Sequence, residues 1–196
     1  MWLEPVVLTA KTIRLEPLAP QHAPGLWAVS SDPEIYKHKP YALRSDADML
    51  AFVRKAQKLH EEGTRLAFAT VLRDGDAPVG STGYFAADEE HKRVEIGGTW
   101  VAPPWQRTVI NTETKYLLLG HAFETLGCMR VEFKTDSLNE KSRRALERIG
   151  AVEEGTFRNH MVLPSGRIRH SVYYSIVDAE WPAVKARLEQ FMSPRT

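Results

Sequence analysis

Residues 94–106 read VEIGGTWVAPPWQ, and this stretch decides the fold. Val94, Ile96 and Trp100 alternate outward from Glu95, the period of a strand. The pair Gly97-Gly98 interrupts that strand. Glycine inside a strand marks a bulge or the close approach of another group. A bulge splays the strand from its neighbour, and freed backbone N–H and C=O groups can then pair with an extended ligand. The bland alternative is a bulge that only bends the sheet. Pro103-Pro104 ends the strand, and a short polar loop leads to a helix starting near Asn111 or Thr112. The first turn of that helix has unpaired N–H groups and a positive dipole end, which suit a phosphate, and Arg107 adds charge. An ordinary capped helix has the same pattern.

Working outward, strand and helix patterns interleave. Lys11–Leu15 alternates as a first strand. The Pro-punctuated stretch from Pro20 to Pro40 holds two short helical pieces, with Asp32 as a cap before Pro33. Ser45–His60 has one apolar helical face, and Gly63 stops it. Leu66–Leu72, Pro78–Ala86 and Arg93–Val101 follow as a meander whose first turn carries Asp74-Gly75. The helix after the polar loop runs from about Asn111 to Leu126 and stops at Gly127. Arg130–Thr135 is a strand, and Asn139–Ile149 a helix stopped by Gly150. Val152–Val162 and Ile168–Val177 form a hairpin turning at PSGR. A closing helix and tail occupy 179–196, with Pro182 in the first turn.

The chain has 196 residues, 43% of them hydrophobic, which suits one domain spanning 1–196 with a sizeable core. A formal charge of +1 provides no global attraction to nucleic acid or anionic lipid. Cys128 is the lone cysteine, so an internal disulfide and a multi-cysteine zinc site are excluded. No apolar run reaches the ~20 residues of a membrane span, and the N-terminus does not resemble a signal peptide. A reducing, cytoplasmic setting is the expectation. HEEG near His60 lacks the second histidine of a zinc helix, and no phosphate-binding G-x-x-x-x-G-K-[ST] loop is present.

A third feature is NEKSRRALERIG, residues 139–150. Ala145, Leu146 and Ile149 make one helix face apolar, yet Asn139 and Ser142 share that stripe. Buried polar side chains need partners, inside the fold or on a ligand held against the preceding helix.

Together these three features resemble the GCN5-related N-acetyltransferases, and specifically the group that acetylates N-terminal amines of ribosomal proteins. The resemblance covers roughly residues 10–177. VEIGGTWVAPPWQ is similar to the family's bulged central strand, QRTVINTE to its coenzyme A pyrophosphate loop, and NEKSRRALERIGA to its N-x-x-S/A helix. SVYYSIVDAEWP is similar to the last strand and closing helix. The implied fold is α/β (α+β): a mixed, mostly antiparallel twisted sheet of about six to seven strands, splayed at a central bulge and flanked by helices. Val109 and Asn111 stand where the loop motif has glycines, which elsewhere let the backbone approach phosphates closely.

The resemblance implies an acetyl-coenzyme A-dependent N-acetyltransferase acting on a primary amine, of a protein N-terminus or a small molecule. Acetyl-coenzyme A would lie in the splayed gap, its pantetheine pairing like a short strand. Its contacts would fall on Trp100, Val101, Gln106, Arg107, Thr108, Val109, Ile110, Asn111, Thr112, Asn139 and Ser142, with no metal. A backbone N–H near Trp100 or Val101 would stabilise the oxyanion. Glu95 would take the amine proton, directly or through a water; otherwise it is a surface strand residue or a salt-bridge partner. Ser142 would serve the leaving thiolate, or be a packing or coenzyme-binding hydroxyl; the family's common tyrosine acid is missing from the Asn139–Gly150 helix.

Two other readings keep the same elements. One is a non-catalytic module that senses acyl-coenzyme A, motivated by Val109 and Asn111. The other is a ribosome- or RNA-binding protein using the basic run KSRRALER, a pattern also given by a solvated helix face. His121 reads as a core histidine and Cys128 as a buried inert thiol. His160 and His170 could line an acceptor cleft. The segments expected to choose the acceptor, Ser31–Arg44 and Asn159–His170, hold few acids. A homodimer through the late strands or exposed aromatics is possible on this composition.

Overall fold

The computed structural model describes residues 2–193. Eight strands form one sheet in the order β1-β2-β3-β4-β5-β6-β8-β7. They are β1 (Leu8–Thr9), β2 (Ile13–Pro17), β3 (Arg65–Leu72), β4 (Pro78–Asp88), β5 (Arg93–Val101), β6 (Arg130–Asp136), β7 (Val152–Val162) and β8 (Ile168–Val177). Among the described residues only β5 and β6 run parallel. The sheet thus exceeds the expected six to seven strands. The extra one, β1, pairs two residues with Leu15 and Arg14 and is too short to show a period.

Five α-helices flank the sheet: α1 (Ala23–Ser30), α2 (Asp46–Glu61), α3 (Ile110–Gly120), α4 (Glu140–Ile149) and α5 (Trp181–Met192). α2 begins at Ser45, whose side chain accepts from Asp48 N–H. α3 does not continue as an α-helix to Leu126; its last turn, His121–Thr125, widens to a π-helix. α4 is bounded as its sequence demands, by an Asn139 cap and by Gly150 at φ +98. The tail expected beyond α5 lies partly outside the described residues.

Two apolar clusters cover the two faces of the sheet. One packs α3 and α5 against residues such as Phe68, Tyr84, Phe133 and Ile176. The other packs α1 and α2 against Ala67, Ala69, Val71 and Trp100. Burial on both faces explains why β5 alternates poorly: Val94, Glu95 and Ile96 are all buried.

β4 must lie close to β5. A Cβ on Gly80 would fall on the Trp100 carbonyl oxygen and stand 3.3 Å from Val101 Cα, both backbone. Gly80→Ala is therefore expected to destabilise the fold by about 3 kcal/mol, because the backbone and not a side chain must move. A urea unfolding midpoint equal to wild type would contradict this packing.

Candidate functional site

The site begins where the central strands part. β5 pairs with β6 only through Arg93, Glu95 and the Val94 between them, opposite Arg130–Glu132. Beyond Glu95 the two strands diverge, while β6 stays paired to β8 as far as Asp136. On its other edge β5 carries a bulge: Ser81 faces Trp100 and Gly83 faces Gly97, so β5 has one residue more than β4. Gly98 absorbs the bulge at φ +64, where a Cβ would meet Phe85 Cζ at 2.9 Å.

The divergence leaves β5 backbone groups facing a gap. Ala102 N–H donates to Val79 O at 2.8 Å, so by alternation Trp100 also faces β4 and Val101 faces the gap. Gln106 Nε2 donates to the Val101 carbonyl at 2.8 Å, on the gap side. Of the two expected oxyanion donors, Val101 N–H is therefore the one aimed into the opening. Trp100 points its N–H at β4 and its indole into the second core cluster.

This gap is part of a cleft of about 1580 Å³. Glu95, Trp100, Val101, Gln106, Arg107, Thr108, Val109, Asn111, Thr112, Asn139 and Ser142 all line it. Ile110 does not: its side chain is 2% exposed and packs in the main core. It is the first residue of α3, and its N–H meets Thr108 Oγ1 at 3.4 Å.

Val109 and Asn111 need no glycine angle. Val109 has φ −66 and ψ −19, and Arg107 is the loop residue at positive φ, +62. A non-glycine residue there is uncommon and strained. The first-turn N–H groups of α3, unpaired within the helix, open toward the cleft. Cations surround that end. Lys141 hydrogen-bonds Gln106 Oε1, Arg148 donates to Thr112 Oγ1 at 3.0 Å, and both line the cleft with Arg107 and Arg144.

At the inner end Glu95 is 7% exposed and pairs with Lys134 Nζ at 2.9 Å. Its Oε1 stands 2.8 Å from where a Gly97 Cβ would be, so the carboxylate lies across the glycine pair. Asn139 uses its Oδ1 to cap α4 by accepting from Ser142 N–H at 3.1 Å. Ser142 is half-buried at the mouth between α3 and α4.

Three groups at the bulge escaped sequence reasoning. Lys39 Nζ donates to the carbonyls of Gly98 (3.4 Å) and Thr99 (3.1 Å). Lys115, 6% exposed, reaches Thr99 Oγ1 at 3.4 Å from α3. Burial, then repulsion from Arg169 and Arg65, pushes Lys39 down to about 8; burial, then repulsion from Lys39, pushes Lys115 down to about 7. Arg65, 8% exposed, stacks on Phe85 at 4.3 Å and Phe52 at 5.3 Å. A weak signal existed for Lys115: it lies three and four residues from Thr112 and Asn111, on the same helix face.

The other residues singled out lie elsewhere. His121 stacks on Tyr84 outside the cleft, and burial lowers its pKa. Cys128 is buried and pushed up to about 11 by desolvation. His160 and His170 line a separate shallow hollow on the β7–β8 hairpin. Among the described residues no cluster of three His, Cys, Asp or Glu could hold a metal ion. Among them, too, no helix is long and apolar enough to cross a membrane.

The family model of the acetyltransferase (GNAT) domain matches residues 12–152. A solved GCN5-related N-acetyltransferase from Brucella melitensis superposes with a TM-score of 0.91 at 30% identity, covering 99% of this chain and 88% of that one. A Bacillus subtilis protein named "Putative ribosomal N-acetyltransferase YdaF" is 35% identical over 60% of this chain. The chain spans 62% of that relative's length. Mycobacterium smegmatis RimJ, solved in complex with CoA-disulfide, shares the fold at a TM-score of 0.83 and 20% identity, with 95% of each chain covered.

Proposed function

Because the chain belongs to the acetyltransferase (GNAT) domain family, we propose that it is an acetyl-coenzyme A-dependent N-acetyltransferase acting on a primary amine. The observation that carries this reading is the parting of β5 and β6 beyond Glu95. An extended thioester arm fits a gap of unpaired strand backbone, with Gly97 and Gly98 keeping side chains out of it. The α3 N-terminus, with Arg107, Lys141 and Arg148 beside it, suits the pyrophosphate. Bound acetyl-coenzyme A would supply an activated acetyl group, whose transfer to the amine, counted from its ammonium form, forms one N–C bond, breaks the C–S bond, and releases a thiol and a proton.

The chain's own residues have separable tasks. Val101 N–H is placed to donate to a developing oxyanion. Glu95 accepts the amine proton, directly or through a water, with Lys134 paired to its carboxylate. Ser142 stands at the mouth, where its hydroxyl can serve the departing thiol. Asn139 acts through α4 by fixing the helix start and hence Ser142. Arg107, Thr108, Val109, Asn111 and Thr112 hold the phosphates by backbone and charge, and Ile110 contributes main chain only.

A protein N-terminus and a small amine are both acceptors to test, and the name of YdaF makes a ribosomal-protein N-terminus the first. The purified chain, acetyl-coenzyme A and an amine panel that includes such peptides should release free thiol only when all components are present. Coenzyme binding without amine-dependent thiol release across the panel would favour the acyl-coenzyme A-sensing module instead.

A further inference from the structure

The bulge end of the cleft holds more positive charge than the fold can neutralise. Lys39 and Lys115 both reach Thr99, one through its carbonyl and one through its hydroxyl. Arg65 packs on Phe85, the ring that lies against Gly98. Three cations thus converge on Gly98-Thr99 from the α1–α2 connection, from β3 and from α3. Among the described residues none of the three has a carboxylate within 4.0 Å. Arg65 Nε is buried with no hydrogen-bond partner.

The acids nearby are already engaged. Glu95 pairs with Lys134, and Asp136 with Arg167 and His38. On the rim, Glu34 pairs with Lys37 and Glu140 with Arg144. A fourth cation, Arg169, adds repulsion on Lys39 while its own guanidinium is held by Ser171 Oγ and the His38 carbonyl. Aromatic faces offset part of the charge: Phe133 beneath Lys115, and Phe52 and Phe85 beside Arg65. Arg65 and Lys115 are buried and Lys39 half-buried, and holding such groups charged without a counter-charge is costly unless a ligand supplies one.

We propose that Lys39, Arg65 and Lys115 form a carboxylate-binding subsite at the bulge, so that one substrate carries a carboxylate there. It sits on the acyl group of the thioester donor or on the acceptor amine. This deepens the transferase reading and rests on it for the identity of the two substrates. The reaction is unchanged: the same N–C bond forms and the same C–S bond breaks, with the carboxylate a spectator held in place. A guanidinium and two ammonium groups suit such an anion, and a neutral acetyl group leaves them without a partner.

The probe is succinate, with its neutral diamide as control, titrated into the full chain while the backbone amides of Gly98 and Thr99 are followed by NMR. Succinate should bind at least tenfold more tightly than succinamide. Arg65→Gln and Lys115→Met, each checked for folding by circular dichroism, should weaken succinate at least tenfold. Equal binding of acid and diamide, or no saturable succinate binding, overturns the subsite. Two turnover comparisons then locate the carboxylate: succinyl- against acetyl-coenzyme A with one amine, and amino acids against their amides with acetyl-coenzyme A. A tenfold kcat/KM advantage for the charged member of either pair, lost in Arg65→Gln, supports the proposal and names the substrate. Thiol release with no advantage in either pair overturns it. Selective succinate binding without thiol release from any pair keeps the subsite and removes the transferase reading.

Discussion

Glu95→Gln is expected to lower kcat about 100-fold, in the range of a lost general base, while acetyl-coenzyme A affinity stays within about twofold of wild type. Glu95 is the last β5 residue paired with β6 before the strands part, so its side chain enters the gap at its closed end. It is 7% exposed and lies across Gly97, beside the bulge proposed to receive the thioester. Glutamine keeps the shape and still accepts from Lys134 Nζ, now 2.9 Å away. What it loses is the capacity to take a proton from the attacking amine. The loss belongs to the chemical step, because the proposed phosphate site lies far along the cleft, at the start of α3. Initial rates and calorimetry on the same preparation separate the two. Unchanged kcat between pH 7 and 9 would remove Glu95 from the proton path.

Lys115→Met is expected to make the fold more stable, by an amount that depends on pH. The folded pKa of Lys115 is pushed down to about 7 by burial and by Lys39, against an ordinary value of 10.5. Between those values the unfolded chain holds a proton that the folded chain has released. Stability of the wild type therefore rises with pH across this window, by up to about 1.4 kcal/mol per unit. Below pH 7 both states are charged, and the full cost of the buried ammonium remains. Above 10.5 both are neutral and the cost vanishes. Methionine fills a similar volume over Phe133 without the charge. The variant's advantage should thus be largest at or below pH 7 and shrink as pH rises toward 10. Denaturant midpoints at pH 6, 8 and 9.5 check this. An advantage that does not change with pH would mean that the ammonium is solvated in the folded state. The expected gain in stability goes with the loss of anion binding, which is the mark of a residue kept for function.

Much of the fold was legible because its signals are local. Asn139 and Gly150 bracket α4, Ser45 caps α2, and Gly97-Gly98 marks the bulge. β1 was not legible, since two residues have no period. Nor was the last turn of α3, where the π-helical Leu126 N–H to His121 O bond depends on tertiary packing. The α3 end of the cleft was legible, as its lining residues fall within the contiguous stretch from Gln106 to Thr112. Ile110 turns its side chain into the core, which a loop motif does not show. Trp100 was likewise placed by motif, whereas alternation from the Ala102–Val79 bond points its N–H at β4. The bulge cations were hidden for a different reason. A lysine in a helix or loop reads as solvated until long-range contacts bury it, and Lys39, Arg65 and Lys115 come from three distant parts of the chain.

The central claim is that the gap between β5 and β6, with the α3 N-terminus, binds acetyl-coenzyme A. Calorimetric titration of the wild type and of Asn111→Tyr with acetyl-coenzyme A, coenzyme A and ATP tests it most directly. Saturable binding of both coenzyme forms to the wild type is expected, with no comparable binding of ATP and at least tenfold weaker coenzyme binding to Asn111→Tyr. Equal affinity of the two proteins, or no coenzyme binding to the wild type, would contradict it.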